Sequence, residues 1–448
     1  MKLNQVLFFE FMVAFAFLFF SVVLYYNVND IQNDSLGIAT LDCLARAFIM
    51  VFVLERIKKS CNGNSYTGAT FLLYSTVIYN SISAIKYSVT SFYPGAIDNT
   101  LIRIIGSFYV DLIIIFGVLT FEKFHNTYIN KLSLQDTNIK LHVPVYTSFL
   151  LVVLYSCVNI YSVITKGNVL VEEVPRTLAT FVNLLTCSTY ASAILSIKKT
   201  STGKINYLSA LPIIALIVVN LYFTMATGKK NLIMVVGLVI ALGTLLNGLI
   251  TFKSLKYIAY CSPFFFQILQ AVSELTSKRD FFDTQYKLIY HAFRFDLSDL
   301  AVTISLNYSK LSGTFDVFVE ALNIIIPSIL YPDKNTELIA YMNQMEEIGM
   351  IRDFDYNDTF FSMGAQIGGF VGMAVVFMAI IIFFEWISIK ILNIKKIGLS
   401  IMIVLVSYFA TCESDWSMFL SQTRDMILIT FFAYWIFKVI VKKRSIRK

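Results

Sequence analysis

Cysteine, histidine, proline and charge are all scarce in this chain of 448 residues, and each scarcity closes off a class of protein. The six cysteines (Cys43, Cys61, Cys157, Cys187, Cys261 and Cys412) fall mostly inside apolar runs, with no CxxC or CxH spacing. They indicate neither a disulfide framework nor a zinc site and read as small core residues. Three histidines weaken any metal hypothesis further. Seven prolines, and no repeat at a period of about 20 to 50 residues, argue against solenoid and tandem architectures. Only 15% of the residues are charged, where a soluble globule has about a quarter.

What fills the chain instead is hydrocarbon. The composition is 57% hydrophobic and the mean hydropathy is +0.70. A helix needs about 20 apolar residues to cross a hydrocarbon core about 30 Å thick. Runs of that kind recur at 6–26, 36–54, 67–85, 104–121, 143–164, 177–196, 208–226, 231–250, 257–274, 363–389, 397–412 and 426–440. The expected fold is therefore all α: a polytopic transmembrane bundle of about 12 spans. The first run is of full span length, carries Glu10 and shows no small-residue cleavage pattern, so it reads as a helix rather than a signal peptide.

The distribution of Lys and Arg orients these spans, because cytoplasmic loops carry the excess. With the N terminus inside, the inner segments hold about 21 basic and about 3 acidic residues, and the outer ones about 14 basic and about 23 acidic. Both termini are then cytoplasmic. Residues 1–274 form nine spans, 275–360 an outer loop, and 361–448 three further spans with a basic tail. The net charge of +7 follows from this topology, so it gives no reason to expect a nucleic-acid partner.

Charge at membrane depth is costly and marks either pairing or function. Asp42 and Arg46, four apart, share a helix face and can neutralise each other. Asp111 has no partner nearby in sequence, and it faces either a solvated cleft or the headgroups. Glu385 is expected to reach water at the inner end of its span. His125 and His142 flank an inner loop, away from anything suggestive.

Cations on the outer side run against the orienting bias and call for a reason. Lys229 and Lys230 sit in the turn Ala226-Thr227-Gly228-Lys229-Lys230-Asn231, at the start of a span whose free amides could hold an anion. Snorkelling to headgroups is the alternative. The long loop exceeds what a connection needs, and it adds Arg279 and Arg294. Arg294 lies in Tyr290-His291-Ala292-Phe293-Arg294-Phe295-Asp296, where aromatics can exclude water and Asp296 can orient a guanidinium fork suited to phosphate. A solvated arginine paired with Asp296 or Asp299 is the other reading. Arg424 opens the last span. Thr314 to Ile326 reads as an amphipathic helix lying over the membrane. Asp353-Phe354-Asp355 has the DxD spacing of metal-binding nucleotide-sugar transferases but faces away from cytosolic nucleotide sugars, so no metal is assigned to it. Asp358 precedes a glycine-rich span that contains Gly364, Gly368, Gly369 and Gly372, and it is a candidate general base.

Together these features resemble the Wzy-type oligosaccharide repeat-unit polymerases of bacterial O-antigen and capsule assembly, relatives of the O-antigen ligases. The likeness covers the hydropathy profile. At residue level it lies in Thr227-Gly228-Lys229-Lys230, in Arg294-Phe295-Asp296, in Ile326-Pro327 to Tyr331-Pro332-Asp333-Lys334, and in Asp358 with the glycines after it. Two departures stand out. Lysines replace the arginine that relatives carry in the early turn, and Asp358 stands where ligases carry histidine.

The resemblance implies a GT-C-like fold with a large helical outer loop, in the bacterial inner membrane. It also implies transfer of a growing glycan from undecaprenyl diphosphate onto a second lipid-linked unit on the periplasmic side. In those terms Arg294 meets the developing charge, with Lys229, Lys230, Arg279 and Arg424 around the diphosphate. Asp358, Asp296 or His291 takes the acceptor proton. No cofactor is expected; the partners are lipid-linked oligosaccharides, membrane lipids and a chain-length regulator protein. An O-antigen ligase and a lipid-linked glycan flippase are the alternatives, and a membrane acyltransferase is disfavoured for want of a placed histidine.

A reporter active only outside the cytoplasm is expected to be active when fused after Gly228 or within 275–360, and inactive after Lys59, Lys140, Lys204 or Lys396. Activity at two of those inner positions would break the alternation.

Overall fold

The computed structural model describes residues 3–28, 36–61, 66–88, 99–129, 142–166, 176–199, 205–227, 230–276, 296–326, 339–349, 358–394, 397–409 and 416–446. Among these the chain is all α, apart from one bridge between Lys199 and Ile205. The helices in order are α1 Leu3–Val28, α2 Leu36–Ser60, α3 Gly68–Ile82, α4 Thr100–Ile129, α5 Val145–Lys166, α6 Arg176–Ser196, α7 Tyr207–Thr227, α8 Lys230–Leu246, α9 Phe252–Thr276, α10 Asp299–Leu306, α11 Thr314–Ile325, α12 Ile339–Glu347, α13 Phe360–Leu392, α14 Gly398–Phe409 and α15 Trp416–Ile446. A 3-10 turn, Ser83–Ser88, extends α3, and another, Tyr308–Lys310, follows α10.

All twelve apolar runs are helical, as α1 to α9 and α13 to α15. Five stretches are long and apolar enough to cross a membrane by length and composition: Gln5–Asn27, Leu36–Ser60, Thr100–Tyr128, Tyr207–Thr224 and Phe360–Leu392. The outer-loop segment contributes α10, α11 and α12, so its described part is helical as expected.

Polar side chains in an apolar bundle must be satisfied locally, and many turn back on their own helix. Ser75, Thr76, Ser107, Thr224 and Ser388 each donate to the carbonyl four residues earlier. Pro263 inside α9 has no N–H for the carbonyl of Ala259. The Ser262 hydroxyl donates to that carbonyl at 2.8 Å instead.

The core forms around α3, whose fifteen residues are all buried. A helix apolar and covered on every side belongs at the centre of a bundle. Cross-helix contacts give the relative directions. Arg46 meets Asn80 of α3 and lies 3.7 Å from Asp111 of α4, and Arg56 meets Glu122, so α2 and α4 run parallel. Asn80 meets Asp111 and Tyr87 meets Ser107, so α3 runs against them. Glu10 pairs with Lys256 and Phe17 packs on Phe264, so α1 and α9 are parallel. These directions match the alternation expected from the charge pattern.

The tenth apolar run departs from expectation, because α13 is not one continuous span. Gly368 (φ −153°, ψ 25°) and Gly369 (φ 56°, ψ −139°) leave helical geometry. The Phe361 and Phe377 rings stack with centroids 4.7 Å apart, whereas sixteen residues of unbroken helix would hold them about 24 Å apart. The chain therefore reverses. A short arm, 360–367, folds back along a long arm, 370–392. Gly364 and Gly372 make this possible: a Cβ on Gly364 would lie 2.5 Å from the Gly372 carbonyl oxygen, and one on Gly372 would strike the Gly364 carbonyl. Gly369, at positive φ, supplies the turn. The long arm runs parallel to α4, with Tyr109 on the Phe370 carbonyl at 2.7 Å, Gly117 against Phe377 and Ile381, and His125 against Glu385. Its 23 residues are about 35 Å long, enough to cross a bilayer without the short arm.

Cysteines placed at 361 and 377 in a background without other cysteines are expected to join through a short thiol cross-linker, read as a mobility shift on a gel after oxidation-free labelling. A continuous helix leaves them unjoined.

Candidate functional site

Polar chemistry concentrates where α10 meets the end of α3 and the start of α4. Arg103, Ser107 and Asp111 recur every four residues and so line one face of α4. Lys86, in the turn after α3, faces the same region. Its ammonium donates at 3.0 Å to Asp296 and at 3.0 Å to Asp299, and also to Ser298. Arg103 Nε donates to Asp299 at 2.8 Å, and its Nη2 donates to the Lys86 carbonyl at 2.9 Å. Asp296 accepts the amides of Ser298 at 3.2 Å and Asp299 at 2.7 Å, satisfying donors at the start of α10 that have no partner within the helix.

All four charged groups are buried. Burial alone would raise the Asp296 carboxyl, but the Lys86 ammonium and the Asp299 amide outweigh it and hold the group below the usual carboxylate range. Burial and the adjacent Asp296 charge push Asp299 up. Burial opposes the charged form of Lys86, and the two carboxylates overcome it and hold it above the usual lysine value. The contribution of Asp296 is thus present above the ordinary aspartate value and lost only as pH falls through its own lower one. That of Lys86 is present below the ordinary lysine value and lost only above its raised one.

A second cluster lies one turn further along α4. Arg46 Nε bonds Asp42 at 2.5 Å, the four-residue pair expected from sequence. Its Nη1 donates to the carbonyl of Asn80 at 2.8 Å and to the Asn80 side chain. Asn80 Nδ2 donates to Asp111 at 2.7 Å, so Asp111 faces partners from α2 and α3 rather than a cleft or headgroups. Toward the other end of the bundle, Lys256 is buried between Glu10, at 2.5 Å, and Glu55. Glu385, expected to reach water, is fully buried, with His125 Nδ1 at 2.8 Å and the Thr67 hydroxyl at 2.5 Å. His125, set aside in the sequence, is that partner.

Asp358 is the first of the two described candidate bases. It is partly exposed and accepts the Tyr341 hydroxyl from α12 at 2.7 Å and the Ser362 hydroxyl at 3.1 Å. Thr359 and Ser362 form a capping box that starts the short arm beside it. Because that arm folds back, Asp358 lies alongside the long arm instead of in line ahead of a span. Asp296, the second candidate base, is committed to Lys86 and to the amides of α10; its geometry makes it an anchor. Arg424 donates to Asp425 at 3.0 and 2.8 Å, and Asp425 also accepts from Asn183 at 3.1 Å. Lys230 is the first residue of α8. Arg294, His291, Lys229 and Arg279, like the DxD at 353–355, lie outside the described residues.

Sequence reasoning passed over Lys86, Arg103 and Tyr341. The first two carried a legible signal: the Arg103, Ser107, Asp111 spacing on a span with a lysine just before it. Tyr341 carried none. Compared with protein-family models, curated proteins and solved structures, the chain matches none of them.

Lys86→Met leaves buried carboxylates uncompensated and is expected to cost about 3–5 kcal/mol of stability. Lys86→Met with Asp296→Asn restores neutrality and is expected to unfold at a higher temperature than the single variant. A double variant less stable than Lys86→Met would contradict the pairing.

Proposed function

We propose that this chain is a twelve-span GT-C-like glycan polymerase of the bacterial inner membrane, joining undecaprenyl-diphosphate-linked repeat units on the periplasmic face. The observation that carries the reading is Asp358: a partly exposed carboxylate that accepts hydroxyls from Tyr341 of α12 and from Ser362.

In this reading the acceptor hydroxyl attacks the anomeric carbon of the donor glycan and its proton passes to Asp358. The bond from that carbon to the diphosphate oxygen breaks, and the electron pair leaves with the lipid diphosphate. Arg294 meets the charge that builds there, with Lys229, Lys230 and Arg279 about the diphosphate. Fixed cations in a partly dry site stabilise such a charge strongly, without a metal. Arg424, already bonded to Asp425, joins them only by sharing its guanidinium.

A flippase for the same lipid-linked glycan is the second reading. The charged groups buried between helices favour it, since carriers place ionisable groups there. Against it stands their geometry: Lys86, Arg46, Lys256 and Glu385 are all bonded across helices in a way that fixes a frame.

Purified protein given the lipid-linked repeat unit of its host is expected to yield a ladder of lipid-linked oligomers on a gel. Asp358→Asn lowers the rate about 10²–10⁴-fold, as loss of a general base does. Arg294→Ala abolishes the ladder while membrane insertion persists. Normal-length polymer from either variant removes that residue from the mechanism. Substrate returned unchanged by folded protein that moves it across a vesicle membrane establishes the flippase.

A further inference from the structure

The short arm of α13 is held at both ends, each time through a tyrosine hydroxyl. At its tip, Tyr308 donates to the Ile367 carbonyl at 2.6 Å. At its start, Tyr341 of α12 donates to Oδ2 of Asp358 at 2.7 Å. The other hydroxyl on that carboxylate is divided. Ser362 has one proton to give and two acceptors in reach, Asp358 Oδ1 at 3.1 Å and the Thr359 carbonyl at 2.9 Å. The shorter bond, from the more acidic phenol, is therefore the firmer hold on Asp358.

A hydroxyl can fix a carboxylate only if its own helix is fixed, and α12 is bonded to α11 and its approach at both ends. Glu320 of α11 accepts the Ala340 amide at 2.8 Å, a first-turn donor with no partner inside α12. In the last turn, Glu347 accepts the Ser312 amide at 2.7 Å and the Ser312 hydroxyl, and Gln344 Nε2 donates to the Ser312 carbonyl at 3.0 Å. The α11 helix in turn rests on α15, where the Phe318 ring meets Trp416 edge-on with centroids 5.3 Å apart. None of these bonds touches Asp358; together they carry the position of α15 to the Tyr341 hydroxyl. We infer that Tyr341 is the positioning residue of Asp358: its hydroxyl holds Oδ2 in place while a substrate hydroxyl approaches the same carboxylate. This rests on the reading of Asp358 as general base above and adds what sets its orientation. Tyr341 makes and breaks no covalent bond; the proton still passes from the substrate hydroxyl to Asp358. A hydrogen bond to the charged form of a carboxylate favours that form, so the hold has a titration signature that a packing contact lacks.

The full-length protein in detergent is compared with Tyr341→Phe, which keeps the ring and loses the donor. A water-soluble carbodiimide with glycine ethyl ester modifies only the protonated carboxyl, so the pH midpoint of Asp358 modification is read by mass spectrometry without any substrate. That midpoint is expected to lie about one pH unit higher in Tyr341→Phe, as loss of a hydrogen bond to a charged group gives. The midpoint is the readout because reagent access changes the rate at every pH alike. With 3-fluorotyrosine at position 341, a stronger donor of nearly the same shape, the midpoint is expected to move the other way. Because it keeps the ring and the hydroxyl, this protein stands as the test if Tyr341→Phe lowers the unfolding temperature. On the lipid-linked repeat unit, Tyr341→Phe is expected to lower kcat about tenfold with KM unchanged. Coinciding midpoints, or a wild-type kcat in Tyr341→Phe, overturn the inference. Shifted midpoints without any polymer leave the hold on Asp358 standing and remove the polymerase; a polymer ladder with coinciding midpoints does the reverse.

Discussion

A charge withdrawn from water into an apolar bundle is stable only where a fixed partner neutralises it, and this constraint organises the molecule from the frame to the outer loop. The partners come from different helices, so each ion pair is also a tie. Arg46 joins α2 to α3, Lys256 joins α9 to α1 and α2, and Glu385 joins α13 to α4 and to the start of α3. Lys86 and Arg103 do the same for a segment that is not itself a span. They seize Asp296 and Asp299, and with them the first turn of α10, against the end of α3 and the start of α4. From there the contacts continue. Val302 of α10 fills the space left by Gly106, and the Tyr308 hydroxyl donates at 2.6 Å to the carbonyl of Ile367 at the tip of the hairpin. The short arm that begins at Asp358 is thereby referred back, through α10, to one buried lysine.

That chain of contacts sorts the acidic residues by physics. Asp296 and Asp358 both fall within residues 275–360; the sequence marked Asp358 as a candidate base, and the family resemblance offered Asp296 or His291 in its place. The first is buried, bonded to an ammonium and two amides, and depressed in consequence; releasing it to accept a proton would undo the anchor. The second is partly exposed and accepts the hydroxyls of Tyr341 and Ser362. Burial and partner type separate them, and neither is written in a local motif.

What was legible follows the same line. Periodicity and length marked the apolar runs as helices, because that signal is local. The Asp42 to Arg46 pair was legible because four residues bring it onto one face. His125 and Glu385 were misjudged because their partners lie 260 and 318 residues away, and distance along the chain hides a tie made across a bundle. The reversal in α13 was hidden differently. Its glycines announced close packing, and close packing is what they provide, but between two arms of one run rather than between two spans. A stretch apolar enough to cross a membrane once reads alike whether it crosses or folds back.

The reversal also bears on how the proposed chemistry divides its work. A sugar hydroxyl is a far weaker acid than a carboxyl group, so it does not surrender its proton to a carboxylate until the bond to the anomeric carbon is well advanced. Asp358 can therefore contribute only late in the step. The earlier part, separation of a glycan from its diphosphate, creates charge that must be met at once by cations already in position. A fixed arm suits the late partner, because a short helix capped by Thr359 and pinned at its tip holds one acceptor in one place. The cations face a different demand, since the lipid must arrive and depart between turnovers. In the proposed mechanism those cations are Arg279 and Arg294 of the long loop with Lys229 and Lys230, residues other than Lys86, Arg46 and Lys256, whose ion pairs fix the frame.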